Sequence, residues 1–389
     1  MTQLRTPSGR DRLRVVHLSF HRDVEEGPPA QLLEDWPTLL GVASALVRAG
    51  VETTIVQPSS HDQSIKRDGV TAQFVQTAQV SGGRVGRASG LHASPRLLER
   101  IASLEPDLLH VNGLQHPLAI HRLAAAFART PVVVQDHASS APRGLRRAVW
   151  RWATAPVAAV TFTVKEQAIP FRASHAFRRS MPVFEVLEGS SHFSPGDPDE
   201  ARRAVGIHGD PCLLWTGHLD ANKDPLMVLD AFERAVAGLP HARLWCCFGK
   251  APLLQEVRAR IDRSSLLSEK VTLVGRRPHA EMELYYRAAD FFVQGSHHEG
   301  CGYSIIEALA CGTPPLVTDI PSSRRLVGGA GSLTPVGDAA ALSDAMVAWS
   351  RRDRATMRAC ARGRFERELS FDAIGSSLRS VYETVLRSR

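Results

Sequence analysis

The stretch "EGCGYSIIEALACGTPPLVTDIPSSRRLVG", Glu299–Gly328, opens with a glycine-bearing polar loop and runs into a short helix pattern. The "DFFVQGS" before it reads as a buried strand, and "PPLVTDI" within it as another. Between them "YSIIEALAC" makes about two and a half helical turns and stops at Gly312 and Pro314. Strand, loop, helix, strand is the repeating unit of a parallel sheet, whose ligands gather at the carboxyl ends of the strands. Gly300 and Gly302 permit close backbone approach, and the amides of Cys301, Gly302, Tyr303 and Ser304 stand at a helix start, where an anion is favoured. Glu299 and Glu307 lie eight positions apart, and on helical spacing that is about 800°, within about 80° of one direction. Ionised carboxylates only accept hydrogen bonds, which suits the hydroxyls of a sugar or ribose. A helix-start charge and a solvent-facing glutamate remain the plainer reading of the pair, with Ile305, Ile306, Leu309 and Ala310 as the apolar side.

The same grammar extends in both directions. Upstream, "PCLLWTG", "HARLWCCFG" and "KVTLVG" read as strands separated by helical segments. Beyond the Ser/Pro/Gly/Asp-rich linker "SSHFSPGDPDE", an earlier set appears in "LRVVHLSF", "ETTIVQ", "PDLLHVN", "PVVVQD" and "VAAVTFTV". A long loop is expected after "LRVVHLSF", and then "DWPTLLGVASALVRAGV" has helix grammar, with Asp35 as N-cap, Pro37 at an early position and Gly50 at the end. The expectation is two α/β halves with parallel sheets, residues 1–190 and 191–370, followed by an amphipathic helix in 371–389 with Ile374, Leu378, Tyr382 and Val385 on one face.

Two further strand-to-helix loops carry chemistry. In "TGHLDANKDP", Gly217 allows a tight turn and His218 and Lys223 follow it; an ammonium at a helix start can meet an anion there, or merely face solvent. In "QDHASS", His137 lies just beyond a strand, and "HVNG" (His110–Gly113) ends an adjacent one.

Composition bounds the rest. The 389 residues are 43% hydrophobic and 22% charged, which describes a folded globular chain of about two domains. Lys+Arg 47 against Asp+Glu 40 gives +7, an excess that favours an anionic partner without choosing among phosphate, nucleic acid and acidic membrane. No aromatic-basic sheet motif supports nucleic acid, and no G-x-G-x-x-G follows the first strand to support a nicotinamide enzyme. The six cysteines have no CxxC or metal-ligand spacing, so no metal site is expected, and mostly lie in apolar runs, which predicts buried thiols in a reducing cytoplasm. "MTQLRTPSGRDRLR" lacks a signal-peptide core, and no run approaches the roughly 20 apolar residues of a span. The D-x-D of "GDPDE" reads as a turn and helix start. "PRGLRRAVWRWATAP" (Pro142–Pro156) mixes arginine with tryptophan, as a surface helix does and as a peripheral contact with an acidic membrane or anionic acceptor would.

"EGCGYSIIEALACGTPPLVTDI" and "TGHLDANKDPLMVLDAF" together resemble the signature and donor-phosphate loop of the retaining GT-B glycosyltransferases of family four. The resemblance covers most of the chain and is strong from Gly217 to Ile320. It implies two Rossmann-like domains facing an interdomain cleft, the first binding the acceptor and the second the nucleotide sugar, with the terminal helix packing back toward the first. It implies transfer from a UDP- or GDP-sugar to a sugar, lipid-linked or small-molecule acceptor, no permanent cofactor and no nucleic-acid partner. Glu307 would hold ribose hydroxyls, Glu299 a hydroxyl of the donor sugar, and the backbone from Gly300 to Ser304 the diphosphate and sugar. Lys223 would neutralise the diphosphate, and His137 would lie near the transferred sugar. His218 stands where the family carries arginine, so Arg276 or Arg277 could supply that charge, and Asp224 stands where glycine follows the lysine. Only Gly27 could serve as the family's first glycine loop. His218 and the altered first loop keep a non-catalytic nucleotide-sugar-binding or scaffold subunit as the alternative.

Overall fold

The computed structural model describes residues 11–21, 28–35, 37–78, 92–137 and 139–388; Gly27 and the first ten residues lie outside this range. The chain divides into two compact units, one of Met1–Gly189 with Phe371–Arg389 and the other of Ser190–Ser370.

In the first unit the described strands are β1 (Arg14–Ser19), β2 (Glu52–Ser59), β3 (Gln63–Arg67), β4 (Val70–Gln76), β5 (Leu108–Asn112), β6 (Val132–Gln135), β7 (Ala159–Phe162) and β8 (Val183–Glu185). They form one sheet in the order β3-β4-β2-β1-β5-β6-β7-β8. Every pairing is parallel except that of β3 with β4. That hairpin turns at Asp68 and Gly69, both in the left-handed region at φ 51° and 78°, the demand of a two-residue loop. The apolar runs of β1, β5 and β6 are buried because helices cover both faces, as parallel strands require. The loop expected after β1 contains a helix, Pro29–Asp35, and Asp35 is its last residue. The helix Pro37–Arg48 follows.

In the second unit β9 (Cys212–Gly217), β10 (Arg243–Phe248), β11 (Val271–Gly275), β12 (Phe291–Gln294), β13 (Pro315–Thr318) and β14 (Ser332–Thr334) form a sheet in the order β11-β10-β9-β12-β13-β14. All of its pairings are parallel. Leu213, Trp215, Leu244, Phe291, Val293 and Leu316 pack a separate core against the covering helices. The linker's Asp197 accepts bonds from the amides of Asp199 (2.8 Å) and Glu200 (3.3 Å), capping the helix Pro198–Val205, so "GDPDE" is a turn and helix start.

The helix Phe371–Arg387 belongs to the first unit and packs on Pro37–Arg48. Ile374, Leu378, Tyr382 and Val385 are buried, as their spacing predicts. Two glycines set the approach. A Cβ on Gly41 would lie 2.6 Å from the Phe371 ring, and one on Gly375 would lie 2.7 Å from the Ala45 backbone. Neither glycine has a positive φ, so their role is closeness rather than backbone freedom. Replacing Gly375 by valine should therefore part the two helices and cost about 1–3 kcal/mol. Chemical denaturation should show the loss in the first unit, with the second unit's transition unmoved.

Candidate functional site

The chain leaves β9 toward β10 on one side and β12 toward β13 on the other, so the carboxyl ends of β9 and β12 form the topological switch point of the second sheet. The loops 218–224 and 295–302 spring from those ends and are bound to each other. The His297 amide donates to the Asn222 carbonyl (2.8 Å), Asn222 Nδ2 to the His298 carbonyl (3.0 Å), and His297 Nε2 lies 2.9 Å from Asp224 Oδ2. Across this seam Lys223 Nζ pairs with Glu299 Oε1, with only 16% and 12% of the two side chains exposed. Two sequence-predicted groups thus meet on separate loops, each loop positioned by its own strand.

Asp224, where glycine was expected, holds a left-handed conformation at φ 44°. Its Oδ1 caps the helix Pro225–Ala235 by accepting from the Met227 amide (3.2 Å), while its Oδ2 meets His297. Aspartate tolerates the conformation and supplies a cap that glycine lacks. A Cβ on Gly217 would lie 3.4 Å from the Lys223 stem, so a small residue there leaves the lysine its room. His218 Nδ1 accepts from the Lys250 amide (3.2 Å), which leaves Nε2 as the ring's donor edge.

The helix Tyr303–Ala310 begins after Gly302, which is left-handed at φ 77° and whose Cβ would meet Leu326 at 2.8 Å. Cys301 is buried, Tyr303 exposed, and Ile305, Ile306, Leu309 and Ala310 fully buried. Because Glu299 precedes that turn, the single-helix spacing drawn between the two glutamates does not hold, and each finds its own basic partner. Glu307 Oε1 accepts from His279 Nε2 at 2.7 Å, at the start of the helix His279–Ala288. That bond raises the His279 pKa above 6.5 against partial desolvation. The His279 ring also stacks on Phe193 (centroids 5.0 Å, planes 27° apart). Beneath Glu307 the Tyr286 hydroxyl lies 3.0 Å from Thr216 Oγ1. Burial first, then Glu307, push that phenol well above its ordinary pKa, so it stays a donor. Arg276 and Arg277 are exposed just past the carboxyl end of β11. Arg277 opposes the rise of the Cys247 thiol, which burial pushes up to about 12. His279, Tyr286 and His297 were not singled out in the sequence; the Pro278–His279 helix start in "RRPHAEMEL" was the available signal for the first.

In the first unit, His137 follows β6, with Nδ1 3.0 Å from Glu188 Oε2 and Nε2 3.4 Å from Asn112 Oδ1. Asn112 ends β5 and Glu188 follows β8, so three strand ends converge on one imidazole. Behind it lie His110 and His17, both buried, with ring centroids 4.3 Å apart. Burial, with His137 adding and the Gln135 bond opposing, pulls His110 down to about 3; burial, then His110 and His137, hold His17 well below 6.5. Neighbouring Asp136 is pushed up to about 6 by burial, against bonds from Ser139. Farther off, on the helix Arg146–Thr154, Trp150 is buried while Trp152 is 56% exposed and stacks on His121 (3.7 Å). Among the described residues no group of three or more His, Cys, Asp or Glu is arranged to hold a metal ion.

Both units resemble known proteins. Residues 210–351 match the family described as "Glycosyl transferases group 1", and residues 38–171 match "Glycosyltransferase Family 4". The chain is 26% identical to the phosphatidyl-myo-inositol mannosyltransferase of Mycobacterium leprae, over 90% of this chain and 92% of that one. It is 34% identical to a D-inositol 3-phosphate glycosyltransferase of Catenulispora acidiphila, over 35% of this chain and 34% of that one. Among solved structures, sucrose-phosphate synthase from Thermosynechococcus elongatus superposes with TM-score 0.65 at 19% identity, over 97% of this chain and all of that one. Anabaena HepE in complex with UDP and glucose superposes with TM-score 0.65 at 16% identity, over 96% of this chain and all of that one. The first unit thus carries a match to the family 4 glycosyltransferases and the second a match to the group 1 glycosyltransferases, and the two Rossmann-like α/β units have the GT-B fold.

Proposed function

We propose that the chain moves a hexose from a UDP- or GDP-sugar to an acceptor hydroxyl with retention of anomeric configuration. The pairing of Lys223 with Glu299 at the β9/β12 switch point carries this reading. As the donor's anomeric C–O bond breaks, negative charge grows on the diphosphate and positive charge on the sugar carbon. Lys223, the helix start at Gly302–Ser304, the donor edge of His218 and Arg276 or Arg277 past the end of β11 supply positive potential where that charge develops. The ion pair holds Lys223 and Glu299 ready. When the donor arrives, the ammonium turns to phosphate and the carboxylate accepts a sugar hydroxyl. Glu307 takes the ribose hydroxyls, and His137 takes a hydroxyl near the transferred sugar. The acceptor oxygen adds on the face the diphosphate leaves, and its proton passes to the departing phosphate oxygen. The inositol-based names among the relatives favour a polyol acceptor, with phosphate or lipid attached.

An anionic bilayer is the partner we assign to the first unit's exposed stripe. Leu145 (93% exposed), Val149 (44%) and Trp152 (56%) recur at the spacing of one helix face. Arg143, Arg146, Arg147 and Arg151 accompany them, and residues 142–156 contain no acid. An apolar stripe edged by arginine suits acidic headgroups.

Replacing Lys223 or Glu307 by alanine should lower donor turnover by roughly 100- to 1000-fold in protein that still folds. Undiminished turnover in either variant would refute the assignment. In a thermal-shift comparison, the true donor at about 100-fold its dissociation constant should add about 2.7 kcal/mol, with UDP- and GDP-sugars told apart by which one acts.

The His279–Glu307 bond gives a pH test. Because the folded-state pKa of His279 lies above 6.5, the bond's contribution is complete below about 6.5 and fades as pH rises through the raised value. Ribose hydroxyls compete for the same carboxylate, so donor affinity should improve over that rise. In Glu307→Gln the His279 ring should titrate at lower pH by NMR. Vesicles of phosphatidylglycerol should sediment the protein and blue-shift its tryptophan emission, whereas phosphatidylcholine should not. Trp152→Ala with Leu145→Glu should abolish both effects.

A further inference from the structure

In the first unit a directional chain of hydrogen bonds runs from the C-terminal helix to the loops that carry His137 and Glu188. Gln135 Nε2 donates to the Leu187 carbonyl (3.1 Å), which fixes the amide with Oε1 turned toward His110. His110 Nε2 lies 3.1 Å from that oxygen and must carry the proton. His110 Nδ1 is therefore an acceptor, and Tyr382, 2.7 Å away, must donate its hydroxyl hydrogen to it. All three side chains are buried to 1% exposure or less. Gln135 stands two residues before His137, and Leu187 directly precedes Glu188. The amide thus staples together the two backbone segments whose side chains form the His137–Glu188 pair.

We infer that Tyr382 is a positioning residue for His137, acting through His110 and Gln135 on the Leu187–Glu188 backbone. Without the hydroxyl, His110 Nδ1 is an unpaired acceptor in a dry interior, and the ring is anchored only through its Nε2–H bond to Gln135. A ring free to tilt loosens the amide it donates to, the Gln135–Leu187 staple slackens, and Glu188 is held less firmly against His137. His17 lies edge-on to His110, and among the described residues neither of its ring nitrogens has a hydrogen-bond partner. The titratable groups around His137 are His17 on β1, His110 on β5, Asp136 on its own loop and Glu188 beyond β8.

This rests on the role proposed for His137, so the test has one arm that needs no turnover. Tyr382→Phe keeps the ring and removes only the hydroxyl. The NMR titration of the His137 ring should differ from the parent's in this variant. Transfer should lose about tenfold in kcat with donor KM unchanged, and the acid limb of its pH profile should shift. Val385→Ala, on the same buried face but outside the chain of bonds, should lower thermal stability and move neither readout. Gln135→Met removes the staple directly and should reproduce Tyr382→Phe; it also carries the test should Tyr382→Phe not fold. If Tyr382→Phe and Gln135→Met alter only thermal stability, leaving the His137 titration and the pH profile as in the parent, the inference is overturned. An unaltered titration overturns it even in a chain without transferase activity, whereas a moved titration without turnover refutes the functional reading alone.

Discussion

The ion pair between Lys223 and Glu299 is the contact around which the second unit's site is organised. Both side chains are largely withdrawn from water, and a half-buried pair repays its desolvation only when the geometry is held by other bonds. Those bonds are present. Asn222, Asp224 and His297 tie the two loops together, and the Asp220 carboxylate accepts from the Lys223 amide at 2.9 Å. The sheet order explains why this happens here. Only at β9 and β12 does the chain depart in opposite directions, opening a gap that two loops can line without a covering helix between them.

The first unit solves a related problem with histidine. His137 is held between a carboxylate and an amide, while His110 and His17 stay buried behind it. A folded-state pKa of about 3 for His110 means that the interior keeps it neutral at ordinary pH, and so able both to accept from Tyr382 and to donate to Gln135. A permanently charged side chain could not do both. The two units therefore use different electrostatics: a lysine–glutamate ion pair at the β9/β12 switch point, and neutral hydrogen-bonded rings behind the His137 loop.

Much of the architecture was legible in the sequence, because buried parallel strands are short apolar runs and the helices between them carry clear stops. The strand cores of "LRVVHLSF", "PVVVQD", "PCLLWTG" and "DFFVQGS" fall where the runs do. The β3–β4 hairpin was missed, although Asp68–Gly69 between alternating segments is a hairpin signal; an edge pair with a polar outer strand lacks the continuous apolar run used elsewhere. The helix Pro29–Asp35 was read as loop because it is short and its flanks are proline-rich. At the site, spacing brought out Lys223, Glu299 and Glu307, but partners from distant elements were invisible. His279 reaches Glu307 across 28 positions, and Tyr382 reaches His110 across 272. The substitution of Asp224 for glycine looked like a loss and is a gain, since cap and loop tie are both side-chain functions that no propensity scale records.

The close seating of Gly375 on Ala45 has a bearing on how the molecule is made. The second unit is one uninterrupted run, Ser190–Ser370, whereas the first is completed only by residues from Phe371 onward. During synthesis, which delivers the amino end first, the later-encoded unit has its whole sequence available while the earlier one still lacks its last helix. Until that helix emerges, the groove along Pro37–Arg48 is bare, and His110 has no hydroxyl to accept from. The half of the protein translated first is thus the last to close.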